Sequence, residues 1–336
     1  MLLELRWDQL QNALGDAEPG VLDGRLLSRA MNDELRGVCD ALKERGVRPR
    51  LSVVQVGDDP ASSIYIRHKV RACERVGIIS IHEKLDAQIS QDELHRRLRE
   101  RNDDPNTHGI LLQLPLTEGL DSGEAVMAID PVKDVDGFHP ANLGQLMAGR
   151  SPLEPCTPTG VLRLLRAAGV EPRGLEAVVV GRSVIVGRPM AVMLTRSDAT
   201  VTLCHRHTPD LEALVRRADL LVVATGVPRL IRGDWIKEGA VVVDVGINRV
   251  DGRLCGDVEY DIARARASWI TPVPGGVGPM TVATLMENTL RAACLQTGWT
   301  FRCGELLSFD EAGLVDLGRA PVRFPGVMYA PVAEEA

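Results

Sequence analysis

Short apolar runs alternate with amphipathic stretches along most of this 336-residue chain. Leu51–Val56, 79–85 and Gly109–Leu114 read as strands, and 24–46, 60–76, 91–101 and 122–128 read as helices around them. Gly46 and Gly77 are natural stops for the first two helices. Asp59-Pro60 offers the second helix a cap and a first-turn proline. That strand–helix order predicts an α/β domain with a mostly parallel sheet. The proline-rich stretch from Pro152 to Pro158 reads as a junction, followed by a helix over 159–168. Beyond it the alternation sharpens. Val- and Leu-rich strands at 176–180, 200–204, 220–224 and 240–244 suit a doubly wound sheet buried on both faces. Helices fit at 189–196, 210–217 and 233–238, and a longer one at 281–296. Residues 1–20 end in a breaker-rich boundary, Gly15 to Gly20. Residues 298–336 have weak periodicity and read as an extension that either wraps the body or stays partly disordered.

Composition narrows the function classes. Acids outnumber bases, 46 to 39, which argues against a generally basic nucleic-acid binder. No apolar run approaches the ~18 residues of a membrane span. The start, Met1-Leu2-Leu3-Glu4-Leu5-Arg6, meets acid and base too early for a signal peptide. Seven cysteines, an odd number without CxxC spacing, predict a reduced cytoplasmic protein with no disulfide framework. Cys204, His205 and His207 form one metal-like cluster, but carboxylate partners and ligand spacing are missing, so no metal is expected. Lysine occurs only at 43, 69, 84, 133 and 237, against 34 arginines. A lysine here invites the question of why arginine would not serve; lysine can release its proton at a tuned site and arginine effectively cannot.

Two regions carry candidate chemistry. The strand at 176–180 runs into Gly181-Arg182-Ser183-Val184-Ile185-Val186-Gly187-Arg188-Pro189. Free N–H groups at the helix start, with the helix dipole, favour a phosphate. The spacing is neither GxGxxG nor a P-loop, and it equally fits a tight strand-to-helix turn. Roughly twenty residues later, where an acid would hold the ribose of NAD, stand His205, Arg206 and His207. Their charge favours the 2′-phosphate of NADP, or marks a solvated basic loop. Ala224-Thr225-Gly226 and Asp244-Val245-Gly246 leave ligand room at two further strand ends, or are simple turns.

In the first half, Tyr65 and Lys69 lie four apart and share a helix face. By itself such a pair is more often an amphipathic surface pair. Gln113 sits at a strand end before Pro115, as a ligand group or as a core or capping glutamine. Lys133 to Pro140 is a polar loop with two acids, Asp134 and Asp136, of the kind that is usually a turn. Pro272-Val273-Pro274-Gly275-Gly276-Val277-Gly278 either brings backbone close to a ligand or makes a tight crossing between domains.

Taken together, these segments resemble the bifunctional methylenetetrahydrofolate dehydrogenase/methenyltetrahydrofolate cyclohydrolase family of the bacterial FolD type. The resemblance runs in order over residues 21–297. It rests on Val56 to Ser62 with Tyr65 and Lys69, Gln113-Leu114-Pro115-Leu116, Lys133 to Pro140 and Pro155-Cys156-Thr157-Pro158. In the second half it rests on Gly181-Arg182-Ser183, Ile185-Val186-Gly187, Gly256-Asp257-Val258 and Thr271 to Thr281. Thr117 and Arg206 depart from it, standing where the family usually has proline and serine.

The resemblance implies a folate-binding catalytic domain, residues 21–155 with 281–297, and a Rossmann-like NADP domain, 156–280. Residues 1–20 and 298–336 would be extensions. It implies Lys69, Tyr65 and Gln113 as catalytic residues, and Tyr65, Asp136, Pro272, Gly275 and Gly276 as contacts of a tetrahydrofolate substrate. It implies Gly181, Arg182, Ser183, Gly187, His205, Arg206, Thr225, Gly226 and Ile247 as NADP contacts. The activity implied is oxidation of 5,10-methylene- to 5,10-methenyltetrahydrofolate, then hydrolysis to 10-formyltetrahydrofolate, by a cytoplasmic homodimer with no nucleic-acid or membrane partner. A dehydrogenase without hydrolase activity, or a nucleotide-binding scaffold that has lost catalysis, would share the fold. Retention of Lys69 argues against the first, and of all four of Tyr65, Lys69, Gln113 and Asp136 against the second.

Overall fold

A computed structural model describes residues 3–302 and 305–309 of the chain. It opens with a short strand, β1 (Leu3–Glu4), and a short helix, α1 (Trp7–Gln11). Asp23 then caps α2 (Gly24–Glu44), accepting from the amides of Arg25 and Leu26 at 2.8 and 3.2 Å. The apolar strand β2 (Arg50–Val56) leads to α3 (Pro60–Val76). The limits of α3 are those its sequence signals predict. Asp59 accepts from the Ser62 amide at 2.7 Å, and Gly77 stops the helix at φ +89°. Next come β3 (Ile79–Leu85), α4 (Gln91–Asp103), β4 (Gly109–Leu112) and α5 (Ser122–Met127). The three strands form a parallel sheet in the order β3-β2-β4.

Sequence reading left Pro140–Met147 unassigned; it is α6, started by Pro140 with the His139 ring nitrogen accepting from the Ala141 amide. The next helix, α7, spans Cys156–Ala167 and so begins three residues before the expected start. Pro158 falls in its first turn, where no intrahelical N–H is needed.

The second sheet is built from β5 (Glu176–Val180), β6 (Thr200–Cys204), β7 (Leu220–Val223) and β8 (Val241–Asp244). Helices α8 (Gly187–Arg196) and α9 (Leu211–Arg217) connect them. The central strands are buried along nearly their whole length, as their unbroken Val/Leu runs require. The helix expected over 233–238 is only a 3-10 turn, Gly233–Trp235. Three short elements carried no sequence signal strong enough to read. They are the hairpin β9 (Asn248–Val250) and β10 (Arg253–Cys255), α10 (Tyr260–Arg266), and the edge strand β11 (Trp269–Ile270). The parallel order is β11-β8-β7-β5-β6.

The long helix α11 (Val277–Thr297) packs on α7, α2 and α3. It starts four residues earlier than its periodicity suggests, with Gly278 and Pro279 in the first turn. Glu287 on α11 is buried between Arg163 of α7 and Arg291, the latter at 2.7 Å. After α11 come β12 (Trp299–Arg302) and β13 (Glu305–Ser308). β12 pairs in parallel with β1, so the two terminal extensions meet in one small sheet. The wrapping alternative holds for residues 299–302 and 305–309; the reading for 310–336 falls outside the described residues. Leu3, Leu5, Leu10, Leu14 and Phe301 all join the main core. Among the described residues no helix is long and apolar enough to cross a membrane.

Leu10 is almost completely buried in that core. Leu10→Ala should therefore lower the unfolding free energy by about 2–5 kcal/mol. An unchanged chemical-denaturation midpoint would show that the extension is not part of the cooperative fold.

Candidate active site

The α3 helix presents Tyr65 and Lys69 one turn apart. Lys69 Nζ donates to Gln113 Oε1 at 3.0 Å. Gln113 is itself fixed: its amide donates to Val54 O at 2.9 Å, and its Nε2 donates to Leu114 O at 2.7 Å. β2 thus holds the chain beyond β4 in register, and the glutamine at the strand end meets the lysine from α3. Asp136 completes the cluster. Burial pushes its carboxyl up to about 6, against the opposing pull of the Lys69 charge. The neighbouring Asp134 plays another part: it is buried and accepts from the His139 amide and Asn142 Nδ2, which shapes the loop.

A cleft of about 710 Å³ opens beside this cluster. Tyr65 lines one wall; Pro272, Gly275, Gly276 and Ile247 line the other. Lys69, Gln113 and Asp136 are not among its lining residues; Lys69 sits a helical turn along α3 from Tyr65 and bonds to Gln113 beyond β4. The loop before α11 forms most of that second wall. It has no room for side chains: a Cβ on Gly24 would overlap Gly276 O, and one on Gly276 would lie 2.6 Å from Thr271 Cβ. Arg25 Nη2 donates to Pro274 O at 2.9 Å, tying α2 to the same loop.

The phosphate turn follows β5. Gly181 has φ +116°, and a Cβ there would strike Ala224 O; a Cβ on Gly187 would strike Gly181 O. Ser183 Oγ accepts from the amides of Val186 and Gly187 at 3.1 and 3.3 Å, closing the turn at the start of α8. Arg182 is exposed beside it. At the end of β6, the His205 amide donates to Thr208 Oγ1 at 2.9 Å, and Arg206 Nε donates to His207 Nε2 at 3.1 Å. Among the described residues no three His, Cys, Asp or Glu side chains converge as metal ligands would.

Two buried acids organise the remaining strand ends. Asp257 Oδ2 accepts from Thr225 N, Thr225 Oγ1 and Gly226 N at 2.6–2.9 Å, and Oδ1 accepts from Asn248 Nδ2 at 2.8 Å. Asp244 accepts from the amides of Gly246, Asp257 and Val258 at 2.8–3.0 Å. Burial pushes Asp244 up to about 7 despite those amides. Sequence reading assigns neither acid a role in the site. The available signal was their position at strand ends among glycines that crowd them; a Cβ on Gly246 would overlap Asp257 and one on Gly256 would overlap Asp244.

A family model for the catalytic domain of tetrahydrofolate dehydrogenase/cyclohydrolase matches residues 22–136, and one for its NAD(P)-binding domain matches 155–297. The chain belongs to the tetrahydrofolate dehydrogenase/cyclohydrolase family. It is 56% identical over 274 residues to the bifunctional protein FolD of Bordetella avium, covering 81% of this chain and 96% of that one. The crystal structure of the bifunctional FolD enzyme from Campylobacter jejuni matches with a TM-score of 0.80 at 47% identity, over 81% and 98% of the two chains. That of Trypanosoma brucei FolD, complexed with NADP and an inhibitor, matches with a TM-score of 0.78 at 42% identity, over 81% and 96%. Like the family models, these relatives leave about a fifth of the chain unmatched, so the packed termini are additions to the tetrahydrofolate dehydrogenase/cyclohydrolase body.

The raised carboxyl of Asp136 has a thermodynamic consequence. The folded state holds this proton more tightly than the unfolded chain, so ionisation weakens the fold as pH rises from about 4 through 6. Asp136→Asn carries no such cost. Its stability relative to the wild type should grow across that window by about 2 kcal/mol and then level off. Denaturant titrations at pH 4.5 and pH 8 measure the difference, and the same difference at both values would contradict the burial argument.

Proposed function

We propose that this protein oxidises 5,10-methylenetetrahydrofolate to 5,10-methenyltetrahydrofolate with NADP and hydrolyses the product to 10-formyltetrahydrofolate. The observation that carries the reading is the hydrogen bond from Lys69 to Gln113, set beside Asp136 and one turn from Tyr65. The reading divides the chain into a folate domain, 21–155 with 281–297, and an NADP domain, 156–280.

The residues of the second sheet suit NADP. Gly181 and Gly187 leave the backbone bare at the start of α8, where a dinucleotide phosphate binds. Arg182 at that turn and Arg206 after β6 supply positive charge for the 2′-phosphate, and no acid stands at the end of β6 to hold a free ribose hydroxyl. His205, Thr225, Gly226 and Ile247 complete the cofactor wall. Bound NADP supplies the hydride acceptor.

The oxidation asks little proton chemistry of the protein. The folate nitrogens stabilise the carbocation as hydride leaves, so the chain's task is to hold the methylene carbon in line. Tyr65 packs on the folate body from α3. Pro272, Gly275 and Gly276 confine it from the opposite side. Asp136, ionised above about pH 6, accepts from the pterin amino group and the adjacent ring N–H.

Hydrolysis is different. Water attacks the methenyl carbon and loses a proton; as the carbon–N5 bond then breaks, the new hydroxyl loses its proton to become the formyl oxygen and N5 gains one, so one proton is released overall. Lys69 takes the proton from the attacking water and hands it to N5, and the hydroxyl proton leaves to solvent. Gln113 Oε1 accepts one N–H of the amine and so positions it. Arginine in place of Lys69 could donate a hydrogen bond but could not take the proton. The enzyme works as a cytoplasmic homodimer joined through its NADP domains, without nucleic-acid or membrane partners.

Purified protein given methylenetetrahydrofolate and NADP should form reduced cofactor and methenyl product, followed separately by absorbance. Absence of cofactor-dependent turnover would refute the assignment. Lys69→Ala should slow hydrolysis of supplied methenyltetrahydrofolate by roughly 10²–10⁴-fold while NADP affinity stays unchanged; undiminished hydrolysis would remove the lysine from its role. Arg206→Ser should raise the KM for NADP by roughly tenfold with little effect on NAD, as expected for loss of a charged phosphate contact. Equal effects on both cofactors would place Arg206 elsewhere.

A further inference from the structure

The turn that carries Asp136 is pinned on one side by its own neighbours. Asp134 accepts there from the His139 amide and Asn142 Nδ2 at 2.8 and 2.9 Å. The other side is held from far along the chain. Asn288, buried on α11, donates through Nδ2 to Val135 O at 2.9 Å and to Glu154 O at 2.8 Å. A carboxamide nitrogen has two N–H groups, and these two carbonyls use both. One carbonyl belongs to the residue just before Asp136, the other to the segment that leads into α7. The two segments also touch directly. Cys156 Sγ donates to Val135 O at 3.2 Å, and the Cys156 amide donates to Asp136 O at 3.4 Å. Gly137, at φ +75°, makes this approach possible, since a Cβ there would lie 2.7 Å from Glu154 C and Pro155 N.

The helix that supplies Asn288 is the one that starts at the Pro272–Gly276 wall of the cleft. Val277 and Asn288 are eleven positions apart, about 16 Å at 1.5 Å per residue. Between them α11 is fastened to α7: Thr281 Oγ1 and Thr157 Oγ1 share a hydrogen bond at 3.0 Å, and Arg163 Nη1 donates to Thr284 Oγ1 at 3.0 Å. One helix therefore carries a wall of the cleft at its start and the Asp136 turn three helical turns on. Asn288 does not itself line the cleft, so any effect it has on a ligand passes through the turn it holds.

We infer that Asn288 is a positioning residue for folate binding: by bridging Val135 O and Glu154 O it fixes where the Asp136 carboxylate stands, and so sets the fit to the pterin amino group and ring N–H. The proposal rests on the folate reading above. A carboxylate that accepts two adjacent N–H groups needs both oxygens at hydrogen-bond distance together, and a displacement of about 1 Å forfeits the pair.

The test is a double-mutant cycle on tetrahydrofolate affinity, measured by calorimetry because binding needs no turnover. Asn288→Ala should weaken tetrahydrofolate binding roughly tenfold, the effect of losing a hydrogen bond to a charged group, and leave NADP affinity unchanged. In an Asp136→Asn background the same change should cost less than about twofold, because the carboxylate it positions has gone. Asn288→Ser, which keeps one donor, should fall between wild type and Asn288→Ala, and it carries the cycle if the alanine variant does not fold. Equal losses in the two backgrounds would reveal a general packing role and overturn the proposal. Unchanged affinity in the Asn288 variants, or in Asp136→Asn alone, would do the same. If the wild type binds tetrahydrofolate but turns over no substrate, the functional reading fails while the cycle still decides the role of Asn288; a wild type that binds no tetrahydrofolate defeats both.

Discussion

Where the Pro272–Gly276 loop meets the first turn of α2, there is no space for a side chain on either partner. Gly24 lies against Gly276 O, and the neighbouring Arg25 holds Pro274 O. This backbone-to-backbone contact fixes how the smaller sheet and its helices stand against the five-stranded sheet. Residues just before α2 reinforce it, because Val21 bridges in parallel to Ile270 at the edge of the larger sheet. Immediately beyond the loop, α11 returns to pack on α2, α3 and α7. One segment therefore closes the second sheet, walls the cleft and joins the core of the first half. The placement of Tyr65 opposite Pro272, Gly275 and Gly276 across the cleft is an outcome of that packing.

The second sheet is organised by a different device. Asp244 and Asp257 gather the loops after β7 and β8 by accepting backbone amides, and glycines at 246 and 256 let those loops approach the carboxylates. Burying two acids is costly unless each oxygen is hydrogen-bonded, and here each one is. The raised Asp244 shows that part of the cost remains. In return, the loops at those strand ends are held by a dense set of hydrogen bonds. Ser183 does the same for the turn after β5 with a single hydroxyl.

These devices explain what could be read from the sequence and what could not. Strong local signals translated directly: α3 begins and ends at Asp59-Pro60 and Gly77, and β5 and β6 follow their apolar runs to the residue. Starts of helices hidden by proline and glycine were misread, as at α7 and α11, because such residues are tolerated in a first turn. Short elements such as β9, β10 and β11 depend on partners distant in sequence and leave no periodicity of their own. The pairing of β1 with β12 is the extreme case, joining the two ends of the body. At the site, Tyr65 and Lys69 were legible as a helical pair, but the bond from Lys69 to Gln113 spans two elements and only the fold reveals it. Asp244 and Asp257 stayed hidden because a buried acid with backbone partners looks, in sequence, like any turn aspartate.

The scarcity of lysine gains its meaning from this geometry. With 34 arginines to five lysines, the chain uses guanidinium groups for surface pairing and for the lining of the cleft. Several lysines have evident structural tasks: Lys133 donates to the carbonyls of Asn102 and Asp104, and Lys237 and Lys84 sit in ion pairs. Lys69 differs, since its hydrogen-bond partner is a neutral amide whose own NH₂ is already committed to Leu114 O. Gln113 therefore steadies the amine through a neutral acceptor. The Lys69 charge pulls the buried Asp136 carboxyl down, against the effect of burial. On the proposed reading, this is the amine that moves protons in the hydrolysis, a task arginine could not take on.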